Sequence, residues 1–288
     1  MKQFIKYASR ILNDKVYLKI KFFIKMKKKL NLKNPQTFNE KLQWLKLYDR
    51  RNVFTKMVDK YDAKKYVADI IGKEYIIPTI DIYDCFEEID FDKLPNQFVI
   101  KCTHDSCGLV IVRDKKKINI EDIKTKIEKS LKYNYYYSNR EWPYKNVKPR
   151  IIIEKYMQDR DLKELRDYKF YCFNGHPKYL YVSEGLENHA TAKIEFFDMN
   201  FKSAPFGRND FKKFDKKPEK PKQFEKMQEL AKILSSGVPF LRVDFYEING
   251  KIYFGELTFS PCGGFMHFEP EEWDYKLGQM IDLHSVKK

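Results

Sequence analysis

The chain has little that would carry it through a membrane or hold it together by covalent links. No uncharged apolar run reaches the roughly 18 residues of a spanning helix, and lysines interrupt every hydrophobic segment near the N-terminus, so no signal-peptide core is read. Cysteine is scarce: Cys85, Cys102, Cys107, Cys172 and Cys262 form an odd, scattered set of five with no C-x-x-C pair. That fits a reducing compartment and argues against structural zinc. These absences together lead to the expectation of a cytoplasmic protein. Histidine is equally sparse, and none of the five pairs with Ser or Cys at a nucleophile elbow, which argues against a triad hydrolase. Arginine is heavily outnumbered by lysine. The formal charge of +15, from 56 Lys plus Arg against 41 Asp plus Glu, favours an anionic partner, whether nucleotide, sugar phosphate, nucleic acid or membrane surface. The excess of Lys, Asn, Ile and Tyr nonetheless resembles codon bias more than a dedicated phosphate-reading surface, where Arg forks are expected.

At 288 residues the chain can bury a substantial core in one or two domains. Its most informative stretch is FLRVDFYEINGKIYFGELTFSPCGG. Leu241, Val243 and Phe245 alternate with Arg242, Asp244 and Tyr246 in the period of a half-buried strand, residues 252–258 supply a partner, and Asn249-Gly250 marks the turn. A two-residue turn pairs Asp244 with Gly255 and sends Glu256 to the opposite face. A three-residue loop, with Gly250 left-handed and Glu247 paired to Lys251, puts Asp244, Glu256 and Thr258 on one face, where two carboxylates can meet on a metal. The second arrangement is expected if the hairpin carries chemistry. The alternative is that these charges line the wet face of an antiparallel sheet.

Along the chain, residues 1 to about 30 are basic, with Phe4, Ile5, Ala8, Ile11 and Leu12 at helical spacing and a run from Lys27 to Lys29. This segment reads either as a helix lying on an anionic membrane surface or as one packed on its own domain with its lysines solvated. Thr37 followed by Glu40 is a capping box opening a helix with Leu42, Trp44, Leu45 and Leu47. A helix is predicted over residues 53–70, ended by Gly72, and another over residues 120–131. Strands are predicted around Ile80 and Ile82, in QFVIK and LVIV flanking the loop CTHDSCG, over residues 150–157, over residues 168–173 and 178–182 across Asn174-Gly175, and at Phe196-Phe197. A Lys/Pro-rich surface segment spans residues 212–222, and a helix over residues 224–234 leads into the hairpin. Helices and strands mix without βαβ alternation, so the fold class is α+β with largely antiparallel sheets.

In order, PQTFNEKLQWLKLYDR, FVIKCTHDSCG, IIIEKYM, RDYKFYCFNG and VPFLRVDFYEINGKIYFGELTFSPCGGF resemble the ATP-grasp superfamily, and within it the teichuronopeptide-biosynthesis (TupA-like) branch. The resemblance covers most of the chain and is specific as an ordered set. It implies a nucleotide held between two mixed or antiparallel sheet subdomains, with an N-terminal helical region over residues 1–80, a first subdomain over 81–155 and a second, carrying the metal site, over 156–288. It also implies ATP and Mg²⁺ as cofactors. By the resemblance, Lys101 reaches the phosphates, and the loop with Ser106 and Gly108 wraps them. Glu154, Tyr156 and Met157 receive adenine, Asp167 contacts ribose or orients Lys169, and Lys169 neutralises phosphate charge. Arg242 stabilises the developing oxyanion, and Asp244, Glu256 and Thr258 hold metal. The chain departs from its relatives in two places. Asp105-Ser106-Cys107-Gly108 stands where a glycine-richer loop is common, and Thr258 replaces the usual Asn.

The activity implied is an ATP- and Mg²⁺-dependent carboxylate–amine ligase of cell-envelope polysaccharide or teichuronopeptide-type synthesis, with saccharide or small-molecule carboxylate and amine substrates. Acceptor contacts are expected from residues 179–190 and 206–210. A glycosyltransferase using Asp90-Phe91-Asp92 is a rival reading, and a kinase acting on a sugar hydroxyl shares the same phosphate machinery. Nucleic acid is not expected as a partner, because the aromatic residues of Tyr168, Phe170 and Tyr171 sit inside a strand and do not interleave with Arg on an exposed sheet.

Overall fold

In this computed structural model the described residues are 10–106, 108–162, 164–186 and 190–286. Helix α1 (Asp14–Met26) is capped by Asn13, whose side chain accepts from the Lys15 N–H at 2.9 Å, and it ends where Lys27 turns left-handed at φ 58°. It buries Leu18 and Phe22 against Leu30, Leu32 and Trp44. Phe4, Ile5 and Ala8, expected on the same helix, lie outside the described residues. The capping box forms as expected at the start of α2 (Phe38–Tyr48): Thr37 Oγ1 accepts from the Glu40 N–H at 3.2 Å, and Glu40 accepts from the Thr37 N–H at 3.2 Å.

The helix expected over residues 53–70 is two helices, α3 (Val53–Val58) and α4 (Asp62–Ile71). Asp59 makes the break. Its Oδ1 accepts from the N–H groups of Tyr61 and Asp62, both at 2.8 Å, capping the second helix. The Lys60 N–H turns away to the Thr103 carbonyl at 3.0 Å. A backbone donor that a continuous helix would use internally thus ties the helical region to the first sheet.

That sheet contains β1 (Thr79–Tyr83), β2 (Phe98–Cys102), β3 (Leu109–Val112) and β4 (Ile151–Lys155) in the order β1-β4-β2-β3, with every pair antiparallel. Helix α5 (Ile120–Leu131) covers it with Ile123 and Ile127. The short α6 (Tyr136–Asn139) follows. The second sheet is β5 (Asp167–Phe173), β6 (His176–Glu184), β7 (Lys193–Asp198), β8 (Phe240–Ile248) and β9 (Lys251–Thr258), ordered β7-β6-β5-β8-β9 and again antiparallel throughout.

Strand alternation gives this second sheet two unlike faces. Tyr168, Phe170, Leu241, Val243 and Phe245 pack against Phe224, Met227 and Leu230 of α7 (Phe224–Leu234) and Val67 of α4. The opposite face is aromatic at one end, where Tyr171, Phe173 and Phe240 meet Phe38 and Leu42 of α2 and Leu277 of α8 (Glu272–Gln279). Two residues further along β5 and β8 the same face carries Lys169 and Asp244, which stand directly opposite each other.

The hairpin of β8 and β9 has the two-residue turn, not the expected three-residue loop. Asn249 (φ 51°) and Gly250 (φ 75°) are its centre, Ile248 pairs with Lys251, and Glu247 pairs with Ile252 in place of Lys251. With that turn alone Glu256 would face away from Asp244. Strand β9 restores the face with one extra residue. Phe254 pairs with Phe245 and Leu257 with Val243, so Gly255 and Glu256 together oppose Asp244 in a β-bulge. Space at the bulge is tight: a Cβ on Gly255 would stand 3.2 Å from the Asp244 carbonyl oxygen and 3.3 Å from its Cβ.

Helix α8 reaches the start of α2 through a glycine. A Cβ at Gly278 would lie 2.2 Å from the Gln36 carbonyl oxygen and 2.6 Å from the Phe38 nitrogen, both backbone atoms that cannot rotate away. Gly278→Ala is therefore expected to lower the unfolding free energy by about 1–3 kcal/mol despite the better helix propensity of alanine. Denaturant titration measures this, and an unchanged or raised midpoint would contradict the packing described.

Candidate functional site

The sequence-predicted residues converge on two neighbouring spaces joined by a row of buried charges. The first is a cleft of about 260 Å³ between the two sheets, walled by Ile77, Val99, Ile111 and Met157 and reached by Lys101, Glu154 and Asp167. Tyr156 and Met157 line it just after β4 ends, so the chain leaving that strand forms one wall of the cleft. The second, of about 330 Å³, is lined by Ser106, Glu141, Tyr144, Arg242, Glu256 and Thr258.

Between them runs an alternating series of ions. Lys169 Nζ lies 3.1 Å from Asp167 and 2.6 Å from Asp244 Oδ2. Arg242 grips Asp244 with two donors, Nε to Oδ1 and Nη2 to Oδ2, both at 2.7 Å, and its Nη2 also contacts Glu256. The order is therefore Asp167, Lys169, Asp244, Arg242, Glu256. It follows from register, because Lys169 pairs with Asp244 and the bulge aligns Glu256 with them. Burial would raise the Glu256 carboxyl, but Arg242, Lys169 and Lys60 outweigh it and hold the group down at about 2.

A second buried carboxylate anchors the first sheet's contribution. Glu154 is 4% exposed. It pairs with Lys101 at 2.6 Å and with Lys64, and these two lysines overcome burial to hold it at about 2. Glu154, expected to accept an adenine amine, lines the cleft with a lysine on each of its oxygens.

The loop after β2 resolves the oddity of an acid among phosphate-binding residues. Asp105 is 2% exposed and turns inward. Its Oδ1 accepts from the Gly108 N–H at 3.0 Å and its Oδ2 accepts from the Ser130 hydroxyl. The carboxylate therefore braces the loop from behind. Gly108 is corrected with it: its N–H is committed to Asp105, and a Cβ there would lie 2.5 Å from Cys102 Sγ, so this glycine serves close packing. Ser106, by contrast, is exposed and lines the second space. Cys107 lies outside the described residues.

Two lysines escaped the sequence reading. Lys60 donates to the Asp105 carbonyl and stands within electrostatic reach of Glu256 and Lys101, while burial lowers its pKa. Lys64 bonds Glu154 and the Ile77 carbonyl, the latter at 2.8 Å. Their spacing of four is visible in DKYDAKKY, but their partners lie far away in the chain, and local pattern does not show them. The rival Asp90-Phe91-Asp92 is used structurally: Asp90 accepts from the Asp92 N–H at 3.1 Å and pairs with Lys93 at 2.9 Å.

Oxygen donors for a divalent cation are present in kind. Thr258 Oγ1 is buried without a hydrogen-bond partner, and the Glu256 side chain beside it is 40% exposed. Asp244 differs, because both its oxygens are bonded to Arg242 and Lys169. Among the described residues no cluster of three or more His, Cys, Asp or Glu side chains is arranged around a common point.

Two antiparallel sheets thus enclose a largely apolar cleft with Lys101 at its wall. The family model described as TupA-like ATPgrasp matches residues 40–282. The chain belongs to this family of ATP-grasp proteins. No curated protein matches it significantly. Among solved structures, it is similar to D-alanine–D-alanine ligase from Helicobacter pylori, with 19% identity, a TM-score of 0.46 and coverage of 85% of this chain and 69% of that one. It is also similar to the D-alanine–D-alanine ligase from Bacillus anthracis complexed with ATP (16%, TM-score 0.40), where it covers 70% of itself but spans only 53% of that chain. For D-cycloserine synthetase DcsG the values are 14% identity, TM-score 0.42, and 82% and 72% coverage.

The depressed carboxyls set an acid limit. Glu154 and Glu256 ionise at about 2 in the folded chain against an ordinary 4.5, so their contribution to stability is complete above about pH 4.5 and is lost as pH falls toward 2. For the nearly sealed Glu154 this amounts to at most about 3 kcal/mol. Thermal melts of wild type and Glu154→Gln between about pH 6 and pH 2.5 test it. The variant should be less stable at pH 6 and converge on wild type in acid, whereas a constant gap would refute the assignment.

Proposed function

We propose that this protein is an ATP- and Mg²⁺-dependent carboxylate–amine ligase acting in the synthesis of a cell-envelope polysaccharide or its peptide decoration. The observation that carries the proposal is the ion series from Asp167 to Glu256, which links an apolar cleft suited to a purine with a polar space suited to acyl transfer. In this reading Tyr156 and Met157 border the base, and Lys101, Lys60 and Lys169 meet the phosphates. Ser106 reaches them from the loop.

The substrate carboxylate takes the terminal phosphoryl group of ATP, giving an acyl phosphate and ADP. An amine then attacks the acyl carbon and releases phosphate. The protein's share is positioning and charge neutralisation. Arg242 faces the second space and is placed to stabilise the oxyanion of the tetrahedral intermediate. Glu256 and Thr258 would hold Mg²⁺, which when bound neutralises phosphate oxygens. Asp244 can join them only when Lys169 and Arg242 exchange it for an anionic ligand, a swap the incoming phosphates make favourable. A kinase acting on a sugar hydroxyl shares the phosphate half of this site. The carboxylate–amine reading is preferred because Arg242 lines the second space, where it can meet an oxyanion.

Calorimetry with ATP and Mg²⁺, beside UDP-sugars and Mn²⁺, tests the reading. ATP should bind only with the divalent ion. Lys101→Ala should weaken binding about tenfold or more, and Glu256→Gln should retain the fold yet lose metal-dependent binding. Tight UDP-sugar binding without ATP binding would overturn it in favour of a glycosyltransferase.

The location we propose is an anionic membrane face, and it rests on α1. No helix among the described residues is long and apolar enough to cross a membrane. Opposite the buried Leu18 and Phe22, however, α1 exposes Val16, Ile20, Phe23 and Ile24 at 46%, 49%, 55% and 58%. These fall on one stripe, edged by the exposed Lys15 and Lys19 and followed by Lys27, Lys28 and Lys29. An apolar stripe beside ammonium groups complements an anionic lipid surface. Sedimentation should recover the protein with phosphatidylglycerol-containing vesicles, not with phosphatidylcholine alone, and Ile20→Glu with Phe23→Glu should abolish this. Equal recovery with both vesicles, or a dimer that the same substitutions dissociate, would overturn it.

A further inference from the structure

A third space, of about 410 Å³, opens beside the second and shares Asn139 and Cys262 with it. Lys21, Lys25 and Arg208 bring three cationic groups to its wall, and His267 joins them. Among the described residues the one carboxylate on that wall is Asp210, which Arg208 already engages through Nε at 2.8 Å and through Nη2. Its walls come from distant parts of the chain: α1, the loop after β7, and the turn after β9. Arg208 is held in place by Asp210, by Cys262 Sγ at 3.2 Å and by the Phe211 ring at 4.9 Å.

We propose that this cavity receives a second anionic group of the substrate, a carboxylate or a phosphate, while the reacting carboxylate lies in the adjoining space at Arg242. The proposal rests on the ligase reading and narrows it: the substrate is at least a dianion. With Arg208 paired to Asp210, Lys21 and Lys25 supply the remaining positive charge of a concave wall, where low-dielectric surroundings strengthen attraction for an anion. Burial first, then the nearby Lys25, pushes the Lys21 ammonium down to about 8 against the opposing pull of Glu141. Shared walls at Asn139 and Cys262 let one elongated substrate occupy both spaces.

The test uses the full chain with a non-hydrolysable ATP analogue and Mg²⁺, titrated with propionate, glutarate and 3-phosphoglycerate. Glutarate and 3-phosphoglycerate, each carrying a second anionic group, should bind roughly tenfold more tightly than propionate, and Lys25→Glu and Arg208→Gln should each remove most of that preference while leaving propionate and the ATP analogue unaffected. Tighter binding of 3-phosphoglycerate than of glutarate assigns the cavity to phosphate, and the reverse assigns it to carboxylate. Lys25 is exposed, so Lys25→Glu should keep its melting temperature within about 2 °C of wild type. Equal affinity for mono- and dianions, or a preference that survives both substitutions, would overturn the proposal. Loss of analogue binding with the dianion preference intact would instead fault the nucleotide site.

Discussion

Asp244 is a carboxylate sealed from water in the middle of a β-sheet, and the site is built around the need to neutralise it. An ion so placed is tolerable only with close, well-directed partners, and removing one partner of such a pair typically costs about 3–5 kcal/mol. Lys169 and Arg242 supply them from the facing strand and from two residues earlier on the same strand. Each cation then has charge to spare and spends it on a carboxylate nearer a cavity, Lys169 on Asp167 and Arg242 on Glu256. The neutralisation of one buried group thereby lays out a row of charges spanning the cleft and the acyl side of the site.

The rest of the second sheet makes that row possible. One face is apolar and packs on α7, so the strands cannot slip by a residue without exposing Phe170, Val243 and Phe245. The other face changes from aromatic to ionic between Tyr171 and Lys169, a distance of two residues. The aromatic half, closed by α2 and α8, excludes water from one end of the ion series. Through this arrangement the helices far from the chemistry contribute to it. Lys46 shows the same division of labour: its ammonium donates to Gln43 Oε1 at 2.8 Å, to the Asn139 carbonyl at 3.0 Å and to the Gly263 carbonyl, tying α2 to the glycine turn that borders the second and third spaces.

The high lysine content, which in the sequence resembles compositional drift, divides into two populations. Lys64, Lys101 and Lys169 are drawn into the protein by the carboxylates of Glu154, Asp167 and Asp244, and Lys60 by the backbone carbonyl of Asp105. Lys15, Lys19 and Lys27 to Lys29 remain in solvent along and after α1. Net charge could not separate them, because the distinction lies in which lysines meet a buried carboxylate or carbonyl.

Features governed by neighbours in the chain were legible from the sequence. The capping box at Thr37 and Glu40, the alternation along β5 and β8, and the Asn-Gly turns depend on contacts within a few residues, and alternation alone was enough to put Lys169 with Asp167 and Arg242 with Asp244. The tertiary structure decided what depends on distant partners. The helix breaks at Asp59 because the Lys60 N–H finds the Thr103 carbonyl, a group more than forty residues away, and only that break brings Lys60 to the loop. Asp105 turns inward because Ser130 and Gly108 satisfy it. Glu256 joins Asp244 through a bulge, not a longer turn, and the bulge sets its carboxylate on Arg242, which is buried against Asp244 in the assembled sheet. Local pattern determined which residues could carry the chemistry, and long-range neutralisation of buried charge determined how they meet.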